Sequence, residues 1–519
     1  MIRRPLPVIF TILVVGLSMF YVMRNTSYGL DDSFITYRYA DNLREGHGLV
    51  FNLGERHYGS TAMGLAILLA IVSKGTSWLG FDDIVAIAHI LSALSLAGIA
   101  VVLHRILIAL VGPSWPAYAA SCGLSLFIFA ASVSNDAVGH ETYPFLALLA
   151  LGGFLIFFGK QYRLGALCVG LSVMLRPDCV LFLAIAFLVL VARHYLVKDT
   201  RIHDLLNIAI VSGTVVISWA IFTKLYFGSA VPETLVAKQA QITLGYWPIF
   251  RLKVIGERLL DQMTIIVGAL LSIGTATIVA GVYAMTTGGS GRRMSLRADA
   301  LCWSLTWLLF AIGLTLAYRQ FKVTYWSWYF DPIYLSMLFS TVVATADLAS
   351  RHQRFSRGLA VLCFAAVLLD GPTIIGAVHR WILYHPRNLH LESYDPIIAW
   401  LRIHEPNGTI VATGEPGGLG YKLGPRFRVV DELGLASPGV ARHIIAGDLD
   451  YPIRRWKPDY VVVSFPGKFN PHERWWFDRV YKEIGEFSHP YWRETIQRGA
   501  LLYQRVAEPA LVLDSRRSP

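Results

Sequence analysis

The 519-residue chain is 55% hydrophobic and only 16% charged, with a mean hydropathy of +0.50. This excludes an ordinary soluble domain and points to a polytopic membrane protein. Its formal charge of +11 does not call for nucleic acid, because membrane proteins concentrate Lys and Arg in cytoplasmic turns and beside anionic headgroups.

Five cysteines lie in or beside apolar runs and form neither a disulfide framework nor a CxxC metal site. After Arg3 and Arg4 the apolar run Leu6–Met23 is longer than a signal-peptide core, and no small-residue cleavage pattern follows it. It reads as an uncleaved first span. About 20 apolar residues cross a bilayer. On that measure the spans are 6–23, 84–103, 115–134, 143–159, 162–175, 178–192, 206–227, 263–285, 300–317, 328–346 and 358–378, about eleven helices.

The run Ala62–Val72 is half a span long and reads as re-entrant or juxtamembrane. Charge supports that choice. If it does not cross, every cytoplasmic turn is basic: His104/Arg105, Lys160/Arg163, Arg193/Lys198/Arg201, Arg292/Arg293/Arg297 and Arg351/Arg354/Arg357. The same topology collects Asp31/Asp32, Glu141, Arg176/Asp178, the 228–262 loop, Arg319/Lys322 and the C-terminal region on the outer face.

From about Arg380 the composition becomes that of a soluble domain, giving a division into 1–380, with its outer loop 24–83, and 381–519. Ser393-Tyr394-Asp395-Pro396 opens a helix. Short β-branched runs at 409–413, 428–430, 460–464 and 501–506 read as strands, with a helix near Glu473–Ile484. The glycine-rich Gly414–Gly420 lacks GxGxxG spacing and reads as a tight strand-to-loop turn. The fold class is therefore an α-helical polytopic membrane protein with a small C-terminal α/β domain.

Asp31 and Asp32 follow directly on the first span. Carboxylates are costly near lipid, which makes them functional candidates, although Asp at a helix start also serves as a cap. At a dry, concave membrane face such a group can take the proton of an attacking hydroxyl. Glu141, preceded by His140, sits at the outer end of another span. Arg176-Pro177-Asp178 forms an outer turn whose guanidinium suits a phosphate, and Lys238 is a second phosphate ligand candidate. Tyr318, Arg319 and Lys322, with Trp326, Trp328 and Tyr329, make a basic-aromatic rim that also reads as an interfacial belt. Walker A, GxSxG and HExxH motifs are missing.

The order of these parts resembles the GT-C class of integral-membrane glycosyltransferases. The strings Asp31-Asp32-x-x-Ile35-x-x-Arg38-Tyr39-Ala40, Gly46-His47-Gly48-Leu49-Val50-Phe51-Asn52 and Gly54-Glu55-Arg56 are similar to the bacterial cell-wall arabinofuranosyltransferase family. Gly139-x-Glu141-Thr142, Leu175-Arg176-Pro177-Asp178 and Gly228-x-x-x-Pro232-x-Thr234-x-x-x-Lys238 match further blocks in the same order, whereas Asp178 stands where such proteins often have Glu.

The resemblance implies a bacterial inner-membrane enzyme with its site facing outward. It would move a sugar, a pentofuranose such as arabinofuranose, from a polyprenyl-phosphate donor to a glycan or lipid acceptor, with inversion. Asp31 is expected as general base, with Asp32 orienting the acceptor or sharing that role. Glu141, His140, Arg38, Asp178 and Lys322 are expected to bind substrate, and Arg176, Lys238 and Arg319 the phosphate. Asp31, Asp32 and Glu141 could gather around a divalent cation, though no spacing demands one. A lipid-linked-sugar flippase or a non-catalytic envelope assembly factor are the alternatives.

Overall fold

The structure is a computed structural model. It describes residues 5–24, 30–134, 137, 139–245, 249, 278, 292–324, 326–351, 358, 392, 394–463, 471–487 and 500–508. Nine of the expected spans appear as helices among them. The expected spans 263–285 and 358–378 lie outside the described residues but for Ile278 and Gly358.

The chain begins with α1 (Pro5–Arg24), followed by α2 (Asp31–Arg44) and α3 (Met63–Thr76). The next helices are α4 (Ile84–Val111), α5 (Trp115–Ser134), α6 (Thr142–Phe157), α7 (Tyr162–Leu171), α8 (Cys179–Leu196) and α9 (Ile202–Phe227). Then come the short α10 (Thr234–Thr243) and the long α11 (Arg292–Gln320) and α12 (Ser327–Arg351). Five of these, α4, α8, α9, α11 and α12, are long and apolar enough to cross a membrane. Helix α3, at 14 residues, spans only about 21 Å at 1.5 Å per residue.

Apolar helices in a bilayer gain little from burying apolar surface against one another, so close packing and polar contacts must join them. Both devices are present. Gly152 of α6 and Gly165 of α7 face each other so closely that a Cβ on either would overlap its neighbour. Helices α11 and α12 are stitched by reciprocal bonds. The Ser304 hydroxyl donates to the Ser340 carbonyl (3.0 Å), the Ser340 hydroxyl to the Ser304 carbonyl (2.7 Å), and the Trp303 indole to the Phe339 carbonyl (3.1 Å). At the other end of the bundle Arg193 bonds Asp199 (2.8 Å) and Asp299 (2.5 Å), and Lys160 also pairs with Asp299. Two of the expected basic turns are thus partly neutralised, by the local Asp199 and by Asp299 from distant sequence.

The C-terminal part is a five-stranded sheet in the order β2-β1-β3-β5-β4, made of β1 (Ile410–Thr413), β2 (Arg428–Asp431), β3 (Tyr460–Val463), β4 (Tyr481–Phe487) and β5 (Ala500–Arg505). The first three pair in parallel; β5 runs antiparallel to both β3 and β4. Central β3 reads Tyr-Val-Val-Val and is buried throughout, as a strand covered on both faces must be. Edge strand β4 carries Lys482, Glu483 and Glu486 and a bulge at Glu483–Gly485, features that discourage edge-to-edge pairing.

Two expectations need correction here. The helix anticipated near 473–484 is a 3₁₀ turn (Pro471–Glu473), a single turn α17 (Phe477–Val480), and then β4. Trp476, Phe477 and Tyr481 pack under Tyr503, and this aromatic contact takes the segment into the sheet. The glycine-rich turn opens a helix after all, α14 (Pro416–Leu423), which follows α13 (Asp395–His404) and connects β1 to β2. Two more single-turn helices, α15 (Val440–Ile445) and α16 (Tyr451–Trp456), lie between β2 and β3.

Candidate active site

Helix α2 is the floor on which the site is built. Its residues Ser33–Ala40 are buried without interruption, because one side faces the spans and the other the C-terminal domain. Consecutive residues on a helix point about 100° apart. Asp31 and Asp32, adjacent in sequence, therefore face different partners.

Asp32 lines a cavity of about 460 Å³. The same wall carries His140, Glu141, Arg176, Asp178 and Lys238, so six of the ten residues expected from the sequence come together. Lys238, on α10, is only 4% exposed and donates to the Asp32 carboxylate at 3.0 Å. Its ammonium lies 5.5 Å and 5.9 Å from the ring centres of Trp326 and Trp328. Burial alone would depress the ammonium's pKa, but the Asp32 charge beside it offsets this and the pKa is raised.

The second half of the cavity is a buried ionic network. Arg176 is 4% exposed and donates to Asp178 through Nε (3.0 Å) and Nη2 (2.7 Å). Nη2 also reaches the Tyr318 hydroxyl (2.7 Å), which itself donates to Asp178 (2.9 Å). The other side of the guanidinium stands 3.6 Å from Glu141. Burial pushes the Glu141 carboxyl up to about 7 against the pull of Arg176. His140, 3.0 Å from Glu141, is driven by burial and then by Arg176 down to about 3 and is neutral at physiological pH. Removing one member of such a buried pair typically costs about 3–5 kcal/mol, because the other charge is left uncompensated.

The rest of the wall is mostly apolar. Leu181 of α8 and Leu314 and Ala317 of α11 bring the spans to the cavity, and Leu435 comes from the C-terminal domain. Sequence reasoning missed Thr36 and Ser60, and placed Tyr318 and Tyr329 in the basic-aromatic rim without a role at the site. Tyr318 and Tyr329 stand in or beside the aromatic rim that reads equally well as an interfacial belt.

Four expected residues lie elsewhere. Asp31 does not line the cavity. Its two carboxylate oxygens accept the backbone N–H groups of Gly417 (3.1 Å) and Gly418 (2.7 Å) at the N-terminus of α14, where unpaired N–H groups and the helix dipole favour an anion. Arg38 is likewise a clamp. It donates to the carbonyls of Phe51 (2.7 Å), Phe427 (2.8 Å) and Gly420 and to the Asn52 side chain (3.3 Å), which commits its fork to the joint. Arg319, in the last turn of α11, and Lys322, just beyond it, are exposed and outside the cavity.

The same clamp continues along the outer loop. Asn52 exchanges hydrogen bonds with Val429 (2.8 and 3.0 Å), Glu55 pairs with Arg428, and the His57 ring meets the Leu435 carbonyl at 3.1 Å. The loop Asp431–Ser437 that presents Leu435 is tied by the buried Asp431 carboxylate. It accepts from Leu433 (2.8 Å) and Ala436 (2.7 Å). Burial nonetheless pushes Asp431 up to about 6, with those N–H bonds pulling the other way.

The three carboxylates expected around a cation do not converge. Asp31 serves α14, Asp32 serves Lys238 and Glu141 serves His140 and Arg176. Among the described residues no cluster of three or more His, Cys, Asp or Glu side chains is placed to hold a metal ion. The donor set does not fit a divalent cation.

Comparison with known proteins agrees at the level of fold. A family described as a domain of unknown function (DUF8728) matches residues 385–505. No curated protein matches this chain. Among solved structures, the oligosaccharyltransferase of Archaeoglobus fulgidus complexed with Zn and sulfate aligns with a TM-score of 0.54 and 13% identity, over 90% of this chain and 68% of that one. Its apo form aligns at 0.51 and 12%, over 89% and 70%. ArnT from Cupriavidus metallidurans, bound to undecaprenyl phosphate, aligns at 0.47 and 11%, over 96% and 98%. The likeness to the archaeal enzyme shows a GT-C-type fold: a polytopic helical membrane protein with a soluble C-terminal domain.

Proposed function

We propose that this chain is a membrane glycosyltransferase that moves a sugar from a polyprenyl-phosphate donor to a glycan or lipid acceptor on the extracytoplasmic face. A fold by itself hosts many functions. The observation that carries the reading is the composition of one cavity: a carboxylate, Asp32, beside two buried cations, Lys238 and Arg176, with an apolar wall supplied by the spans α8 and α11. That combination suits a substrate with a hydroxyl to deprotonate, a phosphate to neutralise and a lipid tail to accommodate. The fold shared with an oligosaccharyltransferase supports the same class of reaction.

The reaction is a single in-line displacement. The acceptor hydroxyl attacks the anomeric carbon and gives its proton to Asp32. The new C–O bond forms on the face opposite the leaving group, inverting the centre. The old C–O bond breaks with its electron pair going to the phosphate oxygen, so polyprenyl phosphate departs with one more negative charge. Lys238 and Arg176 meet that charge as it develops. Glu141 and His140 hold sugar or acceptor hydroxyls. The role of base expected for Asp31 passes to Asp32, because Asp31 is committed to α14.

The sequence resemblance makes arabinofuranose the first donor sugar to try. Residues 1–380 form the catalytic membrane module and 381–519 the extracytoplasmic domain of a bacterial inner-membrane protein. The test is transfer by purified protein in nanodiscs from a panel of radiolabelled polyprenyl-phosphate sugars to crude envelope acceptor. Label is expected to move from one donor, and Asp32→Asn to lower the rate by about 100-fold or more. Failure of every donor with protein that binds undecaprenyl phosphate would overturn the reading.

A further inference from the structure

The hydrogen bond between Lys238 and Asp32 has a consequence for the order in which substrates engage. Lys238 donates to Oδ2 of Asp32 at 3.0 Å. One of the two carboxylate oxygens that could take a proton from an acceptor hydroxyl is therefore occupied by an N–H donor. The lysine is buried and lies against two indole rings, so little water competes for its N–H groups and the pair is more than a solvated surface contact. The second cation is differently placed. Arg176 is already fixed by Asp178, Tyr318 and Glu141, and it can meet a phosphate only as part of that network. Lys238 instead has three N–H donors on a flexible stem and one carboxylate partner recorded.

We propose that Lys238 is a donor-operated mask on Asp32: the lipid phosphate, by taking the N–H groups of Lys238, uncovers the Asp32 carboxylate for the acceptor hydroxyl. Donor then precedes acceptor. In the empty site the Oδ2 oxygen of Asp32 is held by Lys238, and it is released as a proton acceptor when the phosphate is seated. This rests on the glycosyl-transfer reading above and adds an ordered sequence to it.

The mask makes an unusual prediction for binding of the lipid alone. Phosphate must compete with Asp32 for Lys238, so removing the Asp32 charge should tighten lipid binding, although Asp32 itself is part of the site. The experiment measures the Kd of undecaprenyl phosphate for the full-length protein in nanodiscs, in wild type, Asp32→Asn, Lys238→Met and the double variant. Asp32→Asn is expected to tighten binding, on the order of threefold to tenfold for a partly buried charge pair. Lys238→Met is expected to weaken it, and the double variant to match Lys238→Met.

That last equality separates the mask from plain repulsion between Asp32 and phosphate, which would persist without the lysine. Tightening by Asp32→Asn in both backgrounds, or in neither, would overturn the mask while leaving the lipid site standing. No binding to any variant, with each shown to be folded by its size-exclusion profile and thermal transition, would overturn the mask and the glycosyl-transfer reading together. Misfolding of Lys238→Met is covered by Lys238→Gln, which also removes the charge and is expected to abolish the response to Asp32→Asn.

Discussion

Asp31 and Asp32 have the same chemistry, adjacent positions and different work. One carboxylate is on the cavity with Lys238; the other is on the backbone of α14. The sequence made both visible as costly acids near a span, and could not divide them, because the partner that claims Asp31 lies 386 residues away. Glu141, His140, Arg176 and Asp178 were legible because each stands at the end of an apolar run, and Lys238 because it is a cation in the long loop that follows α9. Tyr318 was visible only as part of an aromatic rim and its bonds to Arg176 and Asp178 were not, since an interfacial tyrosine needs no polar partner.

Asp431 gives a pH prediction. Its carboxyl is raised by burial from 3.8 to about 6. For an acid, a folded pKa above the unfolded one means that folding disfavours the ionised form, so its contribution to stability falls as pH rises from about 4 to about 6 and is level beyond. The gap amounts to about 3 kcal/mol at most, at 1.36 kcal/mol per unit. Thermal transitions of wild type and Asp431→Asn between pH 4 and 7 check it. The Tm difference, wild type minus variant, should decline across that window; a rise would contradict it.

At the scale of elements, α14 and α2 form the joint between membrane and soluble parts. A glycine-rich run is a poor helix former, and α14 escaped detection for that reason. It forms because Pro416 presets the first turn and Asp31 satisfies two of the N–H groups that a short helix leaves unpaired. Glycine is also required for clearance. A Cβ at Gly417 would overlap the Asp31 carbonyl, and one at Gly420 would press on the Arg38 guanidinium.

Gly417→Ala is therefore expected to loosen the joint although alanine is the better helix residue. Limited proteolysis should cut between 400 and 445 faster in the variant than in wild type. Unchanged protection would remove α14 from the joint. The segment near 477–487 was misread for a related reason: aromatic contacts with Tyr503 outweigh local helix preference, and they are invisible until β5 is beside it.

At the scale of the molecule, the spans were readable because a bilayer imposes length and apolarity on each one. The cavity was not, since it is enclosed by pieces from α2, α8, α10, α11 and the 431–437 loop that share no sequence pattern. The soluble domain contributes Leu435 to the wall and is part of the site rather than an appendage. Its position predicts the topology. In a cysteine-free background, a membrane-impermeant maleimide should label Lys482→Cys on exposed β4 in intact cells and leave Arg163→Cys unlabelled until the membrane is opened. The reverse pattern would place the site on the cytoplasmic face.

In the proposed mechanism the two neighbouring aspartates differ in kind: Asp32 reacts and Asp31 holds the domain. Rates of sugar transfer by Asp32→Asn and Asp31→Asn, measured side by side with the productive donor, test it most directly. The account predicts a loss of about 100-fold or more for Asp32→Asn. It predicts a small change for Asp31→Asn, whose amide oxygen still accepts one N–H, with the lost charge costing about 1–2 kcal/mol of stability. Abolished transfer in Asp31→Asn beside near-normal transfer in Asp32→Asn would contradict it.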